Sequence, residues 1–409
     1  MNRRQVIAAG LGIGGSPQAG AQSARKRVAA VVTMYTNDGR LNTHANVIIG
    51  RLLDGYAPNG VFTRPRTHLV SMFTDQVPPH DLSRGLAEKH GFQIHPTIRE
   101  ALTAGGNDLA VDAVCFVGEH GDYPRNHRGQ KLYPRYELME QIVEVFRRTG
   151  KTVPVFCDKH LSYSWLKAKA MYSWSRELKF PLMAGSSIPL TVRTPDVEIP
   201  YGAEMESAVV LGYGDMDAYG FHTLESLQCM VERRKGGETG IRSVEWLDGE
   251  AVWKWRDTDG GWSVPLLEAA LSHSPSVKAG RMEDNAKTPA AFLIEYRDGL
   301  KAVAYMMNGH ASGWAVAGKV KGKADPVATY FGQPRQAGRA RPLAHFDGLV
   351  HCMEEMFVTG RPLYPVERTL LTTCALSLLF ESRAWKERIQ TPELGVVYSA
   401  PRDAYYQRT

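Results

Sequence analysis

From residue 28 the chain alternates short apolar runs with longer segments whose apolar positions recur at helical spacing. The runs cover residues 28–32, 68–73, 111–117, 153–157 and 182–184. The segments between them, 45–56, 81–90, 97–104, 134–148 and 162–178, suit amphipathic helices. That alternation predicts βαβ units and a parallel sheet. Pro96 and Pro134 stand where a first-turn proline belongs. Past Pro181 the texture changes. Residues 192–255 and 291–307 read as strands, with turns at Asp248-Gly249 and Asp298-Gly299 and one helical stretch at 222–233. Residues 346–383 turn helical again, broken by Arg361-Pro362-Leu363-Tyr364-Pro365. The organisation predicted is α/β: a Rossmann-like parallel-sheet domain over 28–185, an α+β domain over 186–345, and C-terminal helices with a tail over 346–409 that pack back on both.

At 409 residues the chain exceeds the length at which a single core stops growing, which agrees with two domains. Its net charge of +6 is spread out except in the first 27 residues, where Arg3, Arg4, Arg25, Lys26 and Arg27 meet no acid. No basic stripe suggests a nucleic-acid partner, and no apolar stretch is long enough to span a bilayer. Residues 1–27 read instead as an export signal and linker. Arg3-Arg4 precedes a short apolar, glycine-rich run, and Ala19-Gly20-Ala21 supplies small residues for cleavage, a twin-arginine-like pattern implying a periplasmic or otherwise exported protein, with a cytoplasmic one as the alternative. The run also contains a GxGxxG match at residues 10–15, but no strand precedes it and no helical period follows. The five cysteines lie far apart and mostly in apolar runs, which suits buried thiols better than disulfides or a zinc site.

Chemistry gathers at the ends of the apolar runs. Residues 153–157 deliver Asp158-Lys159-His160 at the carboxyl end of a buried strand, where open α/β sheets place ligands. A lysine fixed there can reach a hydroxyl or carbonyl and take part in proton transfer. A plain surface lysine after a strand is the alternative. Asp75, just after the second run, is placed either to accept from ribose hydroxyls or to cap a turn. The polar loop 118–137 carries Glu119, His120, Asp122 and His127; their spacing follows no helix face, so a cleft loop is expected and no metal. The connection 33–43, TMYTNDGRLNT, holds one glycine where a nucleotide-binding turn wants several, so the phosphate site is remodelled or lost.

Taken together, Asp75 with the AEKHGF helix end, VDAVCFVGEHG, PVFCDKHLS, and YPVERTLLTT followed by TPELGVVY resemble the glucose-fructose oxidoreductase and inositol dehydrogenase (Gfo/Idh/MocA) family. The resemblance runs over most of the chain after residue 27. It implies a Rossmann domain joined to a large, mostly antiparallel sheet domain, with cofactor and substrate meeting between them. It implies NAD or NADP held by Thr33, Asp75, Glu119 and Lys159, and a sugar, cyclitol or related polyol met by His120, His160 and Glu225. Lys159 matches the lysine of the family's EKP segment, with Asp158 and His160 in place of glutamate and proline. His222 matches the catalytic histidine of a D-x-G-x-H segment whose aspartate position holds Ala218. Lys159, His222 and Asp158 are therefore the expected catalytic set, with Asp75, Glu119, Lys159 and His222 converging on one pocket. Self-association through the sheet domain is a further expectation. A carbohydrate-binding protein without dinucleotide, or a lyase or isomerase using tightly held NAD transiently, stand as alternatives to an oxidoreductase.

Overall fold

The computed structural model describes residues 25–37, 42–333 and 343–408. Residues 1–24 of the segment read as an export signal and linker, with their glycines, and Gly39 of the first connection lie outside the described residues, while Lys26 and Arg27, read as linker, belong to the first strand. Strands β1 (Lys26–Met34), β2 (Thr67–Gln76), β3 (Gln93–Ile94), β4 (Ala113–Val117), β5 (Val155–Asp158) and β6 (Leu182–Gly185) form a sheet in the order β3-β2-β1-β4-β5-β6. Every pairing in it is parallel. The connecting helices are α1 (His44–Asp54), α2 (Ser83–His90), α3 (Ile98–Thr103), α4 (Arg135–Thr149) and α5 (Trp165–Glu177). The runs are continuously apolar because the sheet is covered on both faces. Along β1, Ala29 and Val31 pack with α3 and α4, while Val28, Ala30 and Val32 pack with α1. Strand order reverses between β1 and β4, which opens a crevice at the carboxyl ends.

The second unit contains β7 (Arg193–Thr194), β8 (Met205–Gly212), α6 (Ala218–Val231), β9 (Ile241–Asp248), α7 (Glu250–Arg256), α8 (Val264–His273), α9 (Met282–Asn285), β10 (Ala290–Tyr296), β11 (Lys301–Met306), β12 (Trp314–Val320) and β13 (Val327–Phe331). With the late strand β14 (Ile389–Gln390) these make a sheet in the order β14-β9-β10-β11-β8-β12-β13-β7. Only the β8–β11 pair is parallel; the others are antiparallel. One face packs on α6. The other is covered by α7 and α8 through Val252, Trp253, Leu266, Leu267 and Ala270.

Three local expectations change. Residues 250–255 form α7 rather than strand, because Gly249 at φ +56 ends β9 and turns Val252 and Trp253 onto the sheet. The helix expected from residue 222 starts at Ala218, where the Asp215 carboxylate accepts from the amides of Asp217 and Ala218 at 3.0 and 2.9 Å. Pro134 is the N-cap of α4 and Pro96 precedes the capping Thr97, so neither occupies a first turn.

Helices α10 (His345–Thr359) and α11 (Val366–Trp385) tie the two units together. Helix α10 lies beside α1, fixed by a buried Arg51–Asp347 pair at 2.6 Å and by Glu354, which accepts from the Tyr56 hydroxyl at 2.7 Å. Helix α11 runs between α5 and α6. Its Thr373 and Ser377 hydroxyls accept from the amides of Leu161 and Trp165, at 3.1 and 3.2 Å, and so brace the segment that follows Lys159. All five cysteines are buried free thiols. Among the described residues no helix is long and apolar enough to cross a membrane.

Candidate active site

The carboxyl ends of β4 and β5, the start of α6 and the mouth of β12 enclose a cleft of about 470 Å³ between the two sheets. Glu119, His120, Lys159 and His222 line it; Asp75 does not. Lys159 sits one residue past β5 at φ +69, and His120 at φ +70, both in the left-handed region that residues with a Cβ rarely adopt. Such backbone strain costs on the order of 1–3 kcal/mol per residue and persists only where the surroundings enforce it. For Lys159 the enforcement is its backbone N–H, which donates to the Gly185 carbonyl at 3.1 Å and leaves the side chain directed toward the second unit.

There Lys159 Nζ lies 2.6 Å from His222 Nε2. Burial, and then the neighbouring Lys159 charge, hold the His222 imidazole neutral, its pKa well below the usual histidine value. With Nζ donating to Nε2, His222 Nδ1 carries the hydrogen and donates to Ser186 Oγ at 2.6 Å; that oxygen also accepts from the Ile188 amide at 3.0 Å. Glu225, one turn along α6, faces away from the cleft. It accepts from the Ser186 amide at 3.3 Å and from the Thr372 and Thr369 hydroxyls at 2.7 and 3.2 Å. Glu225, expected to meet substrate, thus supports the wall behind His222.

His160 is also behind the wall, where both ring nitrogens lie 3.1–3.2 Å from Arg135. Arg135, unforeseen in the sequence, is fully buried and pairs with Glu119. Burial pushes the Glu119 carboxyl up, but Lys159 at 3.9 Å and Arg135 outweigh it and hold its pKa below the usual range. Asp217, beside the vacant family position at Ala218, accepts from the Lys131 amide at 2.7 Å and comes no closer than 3.9 Å to His160. The opposite wall is aromatic. Trp314 meets His222 edge-on at 5.4 Å and stacks with Tyr219 at 5.6 Å, and Tyr213 closes against both. Flat apolar faces beside convergent polar groups suit a ligand with both ring faces and hydroxyls.

Asp158 is buried beneath the cleft. Its Oδ2 lies 2.6 Å from Nδ1 of His44, the first residue of α1 and a cleft residue that sequence reading missed. The His44 amide in turn donates to His120 Nδ1 at 3.2 Å. Thr33, at the end of β1, donates its hydroxyl to the Glu119 carbonyl at 2.9 Å and lies below the cleft floor. Among the described residues no group of three or more His, Cys, Asp or Glu is arranged to hold a metal ion.

These burials predict acid sensitivity. Burial pushes His44 down to about 3, His120 to about 4 and His345 to about 3, with His160 and His222 well below the usual value. It pushes Asp158 and Asp217 up to about 6 and raises Glu225. Below about pH 6.5 the unfolded chain protonates the five histidines while the folded chain does not, so stability is lost as pH falls. The three acids oppose this as they protonate in the fold, but they are fewer. A denaturant titration should therefore show stability falling from pH 7 to pH 5; a rise over that window would contradict the buried, neutral histidines.

No protein-family model matches the chain, and no curated protein matches it in sequence. Solved structures do match, at low identity and high coverage. GenD2 from gentamicin A biosynthesis, in complex with NAD, is 15% identical over 92% of this chain and 99% of its own, with a TM-score of 0.55. The scyllo-inositol dehydrogenase of Lactobacillus casei is 10% identical over 90% and 98%, at 0.54. The myo-inositol 2-dehydrogenase of Lactobacillus plantarum is 10% identical over 89% and 99%, at 0.53. The chain shares the fold of the Gfo/Idh/MocA oxidoreductases.

The residues at the usual dinucleotide seat of this Gfo/Idh/MocA fold are rearranged. A pyrophosphate ordinarily meets the free first-turn amides of α1. Here the His44 amide is taken by His120, and the Asn46 amide by the Thr43 hydroxyl at 3.4 Å. Instead of turning tightly into α1, the chain beyond β1 runs outward and pairs Thr36 with Asp81, with the Leu82 amide on the Tyr35 carbonyl at 2.9 Å. On the adenosine side, Gln76 and Asp122 exchange bonds of 3.1 and 2.8 Å, and the Tyr123 hydroxyl donates to Asp75 at 2.5 Å. The ends of β2 and β4 are thereby tied together across β1. The described residues do not fit a dinucleotide seated in the ordinary Rossmann manner.

Proposed function

We propose that the protein is an enzyme acting on a sugar, cyclitol or related polyol, with Lys159 and His222 moving the proton of a secondary hydroxyl. The observation that carries this reading is the 2.6 Å contact of Lys159 Nζ with His222 Nε2 in the wall of a cleft with an aromatic face. A hydroxyl hydrogen-bonded to Nζ passes its proton to that nitrogen while an Nζ hydrogen moves to Nε2. Ser186 holds the imidazole in the tautomer that keeps the Nε2 lone pair open. Trp314, Tyr219 and Tyr213 form the apolar wall against which the ring of the ligand rests. Positioned proton transfer of this kind contributes about 10²–10⁴ in rate.

In the oxidoreductase reading, NAD or NADP is the cofactor, supported by the fold shared with dinucleotide-dependent enzymes. A second reading keeps the same cleft and polyol without a dinucleotide. It is favoured by His120 on the α1 amide and by the β2–β4 tie. Calorimetry with NAD, NADH, NADP and NADPH, and with glucose, fructose and inositol alone, separates the two. Binding of a sugar or cyclitol is expected in either case. Dinucleotide binding selects the first reading, sugar binding without it selects the second, and neither kind of binding overturns the proposal. The twin-arginine-like residues 1–27 are proposed to direct export; an intact amino terminus on protein from the host cytoplasm would contradict this.

A further inference from the structure

Proton transfer by Lys159 and His222 leaves a second pair in the same cleft without a role. His44 is the first residue of α1, fixed edge-on against Phe346 at 4.9 Å and beside the His120 ring at 5.2 Å. Its Nδ1 meets Asp158 Oδ2 at 2.6 Å, and the carboxylate is buried while the imidazole reaches the cleft, with side-chain exposures of 2% and 15%. Among the described residues no group hydrogen-bonds His44 Nε2. A carboxylate on Nδ1 fixes the tautomer that leaves the Nε2 lone pair open, which is the arrangement of an oriented general base. Burial agrees with it. His44 is held neutral, while Asp158, pushed up only to about 6, remains ionised at pH 7.

We propose that His44, oriented by Asp158, is a second acid–base centre, and that the cleft exchanges the carbon-bound proton next to the carbonyl of an aldose, a ketose or a keto-cyclitol. The inference rests on the sugar and polyol reading of the cleft and extends it to an activity that needs no hydride acceptor. His44 Nε2 takes the proton from carbon, and the C–H electron pair becomes a carbon–carbon double bond. The carbonyl π pair moves to oxygen, which takes a proton from Lys159 Nζ. The resulting enediol returns to a carbonyl by the reverse steps, so the sugar is isomerised, epimerised or regenerated with a solvent proton. His44 is catalytic in this scheme; Asp158 is a positioning residue.

The test is deuterium exchange. The full protein is incubated in D₂O, with no added dinucleotide, with fructose, glucose and 2-keto-myo-inositol in turn, and the signal of the proton beside the carbonyl is followed by NMR. Wild-type protein should replace that proton in at least one of the three faster than the protein-free control. His44→Gln should lower the exchange rate by at least about a hundredfold, the lower end of general-base effects. Asp158→Asn should lower the rate with little change in KM, as loss of orientation requires. No exchange by wild-type protein with any of the three overturns the inference, as does undiminished exchange in a folded His44→Gln variant. Exchange without dinucleotide-dependent oxidation would count against the redox reading alone, and oxidation without exchange would sink this inference alone.

Discussion

Lys159→Ala should lower turnover on the cleft's sugar or polyol by about two to four powers of ten, the scale of general acid–base catalysis. The side chain is buried, its Nζ touches His222, and the backbone is held in the left-handed region to put it there. Lys159→Arg should not restore the rate. A guanidinium keeps its proton at working pH, and its planar fork is too large for a site that holds Nζ 2.6 Å from an imidazole. Thermal melts of both variants separate chemistry from folding, because Glu119 keeps its pairing with Arg135 when Lys159 is shortened. A lysine that served only the fold would give the opposite pattern, with alanine lowering stability and turnover per folded molecule unchanged.

Arg135→Met should cost about 3–5 kcal/mol of stability, the usual penalty for removing one partner of a buried ion pair. Methionine approximates the arginine stem, so the loss falls on the charge. Glu119 is left buried with only Lys159, at 3.9 Å, and His160 loses the group against both ring nitrogens. Adding Glu119→Gln to Arg135→Met should recover part of that loss, since the uncompensated carboxylate is then gone. Denaturant titrations of the two singles and the double measure the coupling. A double variant no more stable than Arg135→Met would show that Arg135 acts by packing, not by charge.

Much of the first sheet was legible because β1, β4, β5 and β6 are buried on both faces over most of their length, so each appears as a mostly apolar run. β5 is one example, with all four residues from Val155 to Asp158 buried. The two-residue strand β3 left no such trace. Residues 250–255 misled because Ala251, Trp253 and Trp255 recur at every second position as in a strand, whereas packing on the outer face of the second sheet makes a helix. Lys159 and His222 could be found because each stands near the end of an element and matches a family position. Their support could not. Arg135 looked like one more charge on an amphipathic helix, and its partners Glu119 and His160 come from two other connections. His44 falls between the connection 33–43 and the helical pattern 45–56 and belongs to neither, and Asp158, which gives it chemical meaning, lies 114 residues away. Asp75 shows the converse. It stands at the carboxyl end of β2, where a ribose contact was expected, but Tyr123, from the loop after β4, takes its carboxylate.

One cleft, walled by Lys159, His222 and Trp314, is proposed to receive the polyol. Crystals soaked with inositol or glucose test it most directly. A ligand hydroxyl is expected within hydrogen-bond distance of Lys159 Nζ, with the sugar or cyclitol ring against the wall of Trp314 and Tyr219. A ligand bound instead in the surface groove beside Trp255 and Trp262, with the Lys159–His222 cleft untouched, would contradict it.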